Sequence, residues 1–153
     1  YGQYFDVVIC NDSGLYFEEL DFEDLRQPGL NIRTPMNMDR LSDEEMIDYY
    51  SKLIAGLGGK VTAYYLDGIA VYNHGVISSF MDNMVAQKNR SFYMIDKASS
   101  KRFEGWPLDS LSINKENGKY FVDGSIEESK ENIIKDQYQK SVVDFLIKSL
   151  HIA

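Results

Sequence analysis

The sequence is poor in the residues that staple small folds together. It has one cysteine, Cys10, and two histidines, His74 and His151, among 153 residues. A lone cysteine forms no internal disulfide, so a reducing, cytoplasmic setting is the expectation. The two histidines stand far apart with no cysteine partner, which makes no zinc site. The three prolines form no rich linker, and no repeat or low-complexity tract divides the chain. No apolar run approaches the length that crosses a bilayer. Neither an initiator methionine nor a signal peptide opens the sequence, so it reads as a processed piece with sequence missing before Tyr1. The Asn-x-Ser triplets at Asn11 and Asn89 matter for glycosylation only in a secreted chain. Positive charge is also scarce: 16 Lys and Arg face 24 Asp and Glu, a net −8. That balance argues against general nucleic-acid binding, which displaces counterions with a basic surface. A small phosphorylated ligand stays open, because a few local cations and a metal ion outweigh the global field.

What is present is apolar and aromatic. Hydrophobic residues make up 44% of the chain, with eight Phe and eleven Tyr, enough for one domain over residues 1–153. Residues 5–10 read as a buried strand, Asn11-Asp12-Ser13-Gly14 as a turn, and 15–20 as the strand after it. Residues 21–40, with Pro28-Gly29 and Pro35, read as a long loop holding one short helical turn. Ser42 and Glu45 form a capping box. Met46, Ile47, Tyr50, Leu53 and Ile54 then recur at helical spacing until glycines 56, 58 and 59. Asp67-Gly68 predicts a hairpin between strands 60–66 and 69–73. Residues 75–80 and 92–96 look extended, and Glu116-Asn117-Gly118 predicts a second hairpin between 111–114 and 119–122. Ser125 with Glu128 caps a last helix whose apolar face runs from Ile134 to Leu150. Strands, a helix, several hairpin strands and a helix make a mixed α/β domain, a twisted sheet with flanking helices.

Few motifs carry chemistry. Gly56 to Lys60, "GLGGK", lacks the strand-before, helix-after setting of a phosphate loop and reads as a helix C-cap. No nucleophile elbow and no Cys–His pair is present. The Asn11–Gly14 turn is the better candidate. Asp12 at a strand end is placed to hold Mg²⁺ or take a proton from water, and Ser13 with nearby N–H groups to meet phosphate oxygens. The plain alternative is ordinary turn chemistry.

The flanks bear on that choice. "DVVICNDSGLYFEEL" (residues 6–20) followed by "QPGLNIR" (27–33) resembles the inosine triphosphate pyrophosphatase family, enzymes that clear non-canonical purine nucleotides. "EGWPLDSLSI" (104–113) stands where that family carries a Gly-Phe-Gly-Tyr-Asp-Pro stretch. "KDQYQKSVVDFLIKSL" (135–150) is similar to its closing helix. Order and rough spacing hold over nearly the whole chain. The resemblance implies a Mg²⁺-dependent hydrolase that converts a purine nucleoside triphosphate such as ITP or XTP to monophosphate and pyrophosphate, and it implies a homodimer. It gives Asp12 the metal and the activation of water, and Ser13 and Gly14 the phosphates. Trp106 would stack on the base. Asp109 would read the base edge, because a carboxylate accepts from the N1–H of hypoxanthine or xanthine and adenine has no such proton.

The departures are specific. Asn11 replaces the first Asp of the family turn, and Pro107 and Leu108 replace Gly and Tyr. Arg33 lies one residue closer to its Pro-Gly. Asp136, Gln137 and Tyr138 stand near where the family has Ser-His-Arg. Nothing in residues 1–10 matches the family's opening strand and Ser-x-Asn-x-x-Lys segment. Lys101, Arg102, Lys115 and Lys119 are the remaining candidates for positive charge. The second expectation is therefore a diverged, non-catalytic relative that binds a nucleotide or a protein.

Overall fold

The computed structural model describes residues 3–124 and 137–152. The chain runs β1 (Val7–Phe17), a 3-10 turn (Pro35–Asn37), α1 (Asp43–Gly56), β2 (Lys60–Asn73), β3 (Val76–Met81), α2 (Met84–Asn89) and β4 (Phe92–Ile95). A second 3-10 turn (Pro107–Ser110), β5 (Ser112–Ile113), a third (Phe121–Asp123) and α3 (Gln137–Leu150) follow. Every described strand pairing is antiparallel, in the order β1-β2-β4-β5, with β3 also on β2.

The long central β2 organises this sheet. Its β-branched and aromatic residues favour extended chain. Along one side it meets all of β1, from Val7↔Asn73 to Phe17↔Ala63. Along the other, Lys60–Ala63 meet β4 and Gly68–Asn73 meet β3. The gap between β3 and β4 is filled by α2, whose buried Gln87 works as a strand substitute. Its Oε1 accepts from Asp67 N at 2.7 Å, and its Nε2 donates to Asp82 O at 2.8 Å.

Two expected turns are corrected. Asn11–Gly14 and Asp67–Gly68 lie within unbroken strands, and they lie opposite each other: Asp12↔Gly68, Ser13↔Asp67, Gly14↔Leu66. Each turn-like sequence is held extended by the other's ladder bonds. Gly14 serves close approach, since an added Cβ would lie 2.8 Å from Tyr16 Cε2 and 3.3 Å from the Gly29 carbonyl carbon. The strand ends where Gln27 replaces a neighbour, accepting from Phe17 N at 2.7 Å and donating to Phe17 O at 3.0 Å. The second hairpin also shrinks: residues 119–122 form no strand, and only an isolated bridge, Ile113↔Tyr120, closes that turn. The cap at Ser125 and the start of the last helix at Ile134 lie outside the described residues.

Helix α1 forms as expected, with both arms of the Ser42–Glu45 capping box present. At its other end Gly59 N donates to Ile54 O (2.9 Å) and Gly58 N to Ala55 O (3.2 Å). That is a Schellman close, which the positive φ of Gly58 (102°) and Gly59 (85°) allows. Strand alternation puts Leu15 and Phe17 on one face with Val61 and Ala63. Met46, Ile47, Tyr50 and Ile54 of α1 bury against that face, with Leu108 and Leu111. Helix α3 covers the other end of the same face. Phe80, opposite Ile69, stacks near Tyr138 and Phe145, and Asn73 Nδ2 donates to Ser149 O at 2.9 Å.

Candidate functional site

Between the ground covered by α1 and by α3, the same sheet face presents Ser13, Tyr65 and Asp67. A cleft of about 490 Å³ opens there, lined by Asn11, Ser13, Asp67, Tyr138 and Gln139 among others. Ser13 Oγ donates to Asp67 Oδ1 at 2.5 Å. Behind that pair lies Arg90, with NH2 3.8 Å from Asp67 Oδ2 and NH1 3.4 Å from Asp82 Oδ2. Its guanidinium lies 4.3 Å from the Tyr138 ring centre. Arg90 NH1 thus bonds Asp82, while its buried NH2, beside Asp67, makes no hydrogen bond among the described residues. Among the described residues lining the cleft, none is Lys or Arg.

The hydroxyl direction decides what the cleft offers. A serine has one proton to donate, and Asp67 takes it. Toward any further partner Oγ then acts only as an acceptor, which suits a cation or a donor. Among the described residues no group of three or more His, Cys, Asp or Glu gathers to hold a metal. Mg²⁺ needs less protein when phosphates complete its shell, since one or two carboxylates suffice. Asp67 is the one carboxylate among the described residues that line the cleft.

A second cavity of about 200 Å³ lies on the α1 side, lined by Ile32, Arg33, Tyr65, Trp106 and Asp109 among others. Trp106 is 63% exposed. Burial raises the Asp109 carboxyl above the ordinary aspartate value. The Tyr65 phenol is pushed up to about 12, by burial first and then by the charges of Asp109 and Asp67. Tyr65 therefore stands between the two cavities, one full pleat, about 7 Å, from Asp67 along β2.

The residues singled out in the sequence divide accordingly. Trp106 and Asp109 come together in the smaller cavity, and Ser13 lines the larger. Asp12 does not join Ser13. The pleat turns it to the opposite face, where it is exposed and its Oδ1 accepts from Ser13 N at 2.9 Å. Gly14 is buried beneath Tyr16 and lines neither cavity. Of the candidate cations, Lys101 pairs with Asp123 at 2.6 Å and Arg102 with Glu44 at 2.7 Å, and Lys115 donates to Ser91 at 2.6 Å. None of these three, nor Lys119, lines either cavity. Sequence reasoning missed Asp67, which Gly68 made look like a hairpin, and Tyr65, which fell within the strand 60–66 with no signal of its own. The β1–β2 register, which no local pattern encodes, brings both to the site.

No family model matches the sequence, and no curated protein does. Solved structures do. The Ham1 protein of Staphylococcus aureus superposes with a TM-score of 0.60 at 19% identity, covering 94% of this chain and 67% of that one. A nucleoside-triphosphatase, dITP/XTP pyrophosphatase, from Mycobacterium abscessus gives 0.61 at 10% identity, covering 89% and 66%. A HAM1 protein from Coxiella burnetii gives 0.58 at 14%, covering 90% and 66%. The chain spans about two thirds of the length of these structures. At such identities the likeness is one of architecture: this chain has the Ham1 and dITP/XTP pyrophosphatase fold.

Proposed function

We propose that the chain binds a purine nucleoside triphosphate and hydrolyses it to a monophosphate and pyrophosphate. The base would lie in the Trp106–Asp109 cavity and the phosphates in the Ser13–Asp67 cleft. One observation carries this reading: an aromatic and a carboxylate share a pocket beside Tyr65, one pleat from a cleft that holds Ser13 and Asp67, on a fold shared with a dITP/XTP pyrophosphatase. Trp106 offers an open ring face for stacking. Asp109, when ionised, accepts from the N1–H of a 6-oxopurine. Asp67 and Ser13 would hold Mg²⁺, which would neutralise phosphate charge and lower the pKa of a bound water. Attack of water at the α-phosphorus breaks the bond to the bridging oxygen, and pyrophosphate leaves. Asp67 is the carboxylate in the cleft, and we assign it the role that the resemblance gives Asp12.

The test is pyrophosphate release with Mg²⁺ across ITP, XTP, dITP, GTP and ATP, with Asp67→Asn and Asp12→Asn. ITP or XTP should turn over ahead of ATP. Asp67→Asn should lower the rate by about 100-fold or more, the usual scale for a positioned acid or base, and Asp12→Asn far less. The reverse pattern would return the role to Asp12. A second reading, a nucleotide-binding relative without catalysis, is favoured by the lack of Lys or Arg among the described cleft residues. No release from any nucleotide, with ITP still bound, would decide for it.

A further inference from the structure

The indole of Trp106 is open to solvent, so its aim depends on the backbone that carries it. That backbone is tied to the first turn of α1 by a single carboxylate. Asp43 Oδ2 accepts from Gly105 N at 2.8 Å, and Asp43 Oδ1 accepts from Arg33 NH2 at 2.8 Å. Arg33 NH2 also reaches Gly105 O at 3.4 Å, and its NH1 donates to Leu41 O at 3.3 Å. Gly105 sits at φ +82°, a conformation that costs other residues dearly. Trp106 follows at once and closes its own turn, N to Phe103 O, at 2.9 Å. The Asp43–Arg33 pair is only part-exposed, at 34% and 25%. Its geometry is therefore held on both sides. In the sequence Asp43 is one of three acids in a first helical turn, a position that the helix dipole alone explains. The structure adds a ligand-side consequence.

We propose that Asp43 is a positioning residue for base recognition. By clamping Gly105 and Arg33 it holds Trp106 over the pocket wall that Asp109 completes. The clamp also accounts for Arg33, whose charge is committed to Asp43 and so to the pocket's frame. The neighbouring Glu44–Arg102 bond pins the start of the same loop at 2.7 Å but does not touch Gly105. It is the natural control.

This inference rests on the nucleotide reading above, and the experiment separates the two. Trp106 is the only tryptophan in the chain, so intrinsic fluorescence reports on it alone. Asp43→Asn and Asp43→Ala are compared with wild type and with Glu44→Gln, each checked for native far-UV circular dichroism. Without ligand, wild type and Glu44→Gln should share one anisotropy, and Asp43→Ala should fall below it as the indole gains freedom. In titration with ITP and Mg²⁺, quenching should require about tenfold more ITP in Asp43→Ala and less than twofold more in Glu44→Gln. Where turnover is measured, the loss should fall on KM and not on kcat. Asp43→Asn keeps one acceptor and should lie between; it replaces the alanine variant if that one does not fold. Equal anisotropy and equal ITP affinity in wild type and folded Asp43 variants would overturn the clamp. Wild-type fluorescence unmoved by any purine triphosphate would overturn the base pocket itself, whatever the anisotropies show.

Discussion

Asp109 has two possible jobs, and pH chooses between them. Ionised, it only accepts hydrogen bonds; protonated, it also donates. Burial raises its pKa above the ordinary aspartate value, so the acceptor form is lost earlier on acidification than for an exposed aspartate. ITP affinity, read by Trp106 quenching, should be full at neutral pH and fall as pH drops through a midpoint above the usual aspartate range. Asp109→Asn should flatten that profile and narrow the preference for ITP over ATP. A profile in Asp109→Asn that still falls at the same midpoint would place the titration elsewhere. Gln87 presents the opposite case, a polar residue whose role is purely structural. It is 1% exposed and satisfies Asp67 N and Asp82 O across the gap in the sheet. Gln87→Ala strands both backbone groups, and an unsatisfied buried group costs about 1–3 kcal/mol. Urea unfolding should show a loss of about 2 kcal/mol or more. The cleft should loosen too, because Asp67 loses the bond that fixes its backbone.

At the scale of elements, signals that are complete within a few residues were legible. The Ser42–Glu45 box and the Gly58-Gly59 close define α1 as its sequence says. Ser42→Ala should cost about 1 kcal/mol in thermal or urea unfolding, the ordinary value of a lost cap. Signals that depend on a partner strand misled. Asn-Asp-Ser-Gly and Asp-Gly are turn sequences by local preference, but each strand lends the other its ladder. The register Ser13↔Asp67 keeps both extended. Had either been a turn, Ser13 and Asp67 would not share a face, and the cleft would not exist. The same long-range pairing hid which carboxylate enters the cleft: adjacent residues on a strand face opposite ways, so Asp12 and Ser13 could not both point inward. Helix α2 escaped notice because six residues give too few turns for a periodic pattern. Its trace was local, Asn83 capping Ala86 N at 2.9 Å. Trp106, which precedes the second 3-10 turn, and Asp109 within it are three positions apart, and only the family resemblance singled them out.

The whole molecule sets a further condition on binding. A net charge of −8 meets a triphosphate that is itself strongly negative. The cleft lining among described residues adds Asp67 and no cation, and Arg90, beside Asp67 and Asp82, does not line it. Two anions at a protein surface repel more than they would in bulk water. On the proposed reading a divalent ion between them would reverse the sign, with Ser13 Oγ and the Asp67 carboxylate as acceptors toward it. Binding should therefore be conditional on the metal in a way a cation-lined phosphate site is not. Thermal melts in ITP alone, Mg²⁺ alone and both together read this directly. Saturation about 100-fold above Kd stabilises by about 2.7 kcal/mol, a rise of roughly 5–10 °C for a chain of this size. That rise should appear with ITP and Mg²⁺ together and be nearly absent with either alone. Asp67→Asn should weaken the metal dependence, because the amide removes both the repulsion and the ion's carboxylate. An equal rise with ITP alone would mean that cations outside the described lining meet the phosphates, and the metal-dependent account of the cleft would fall.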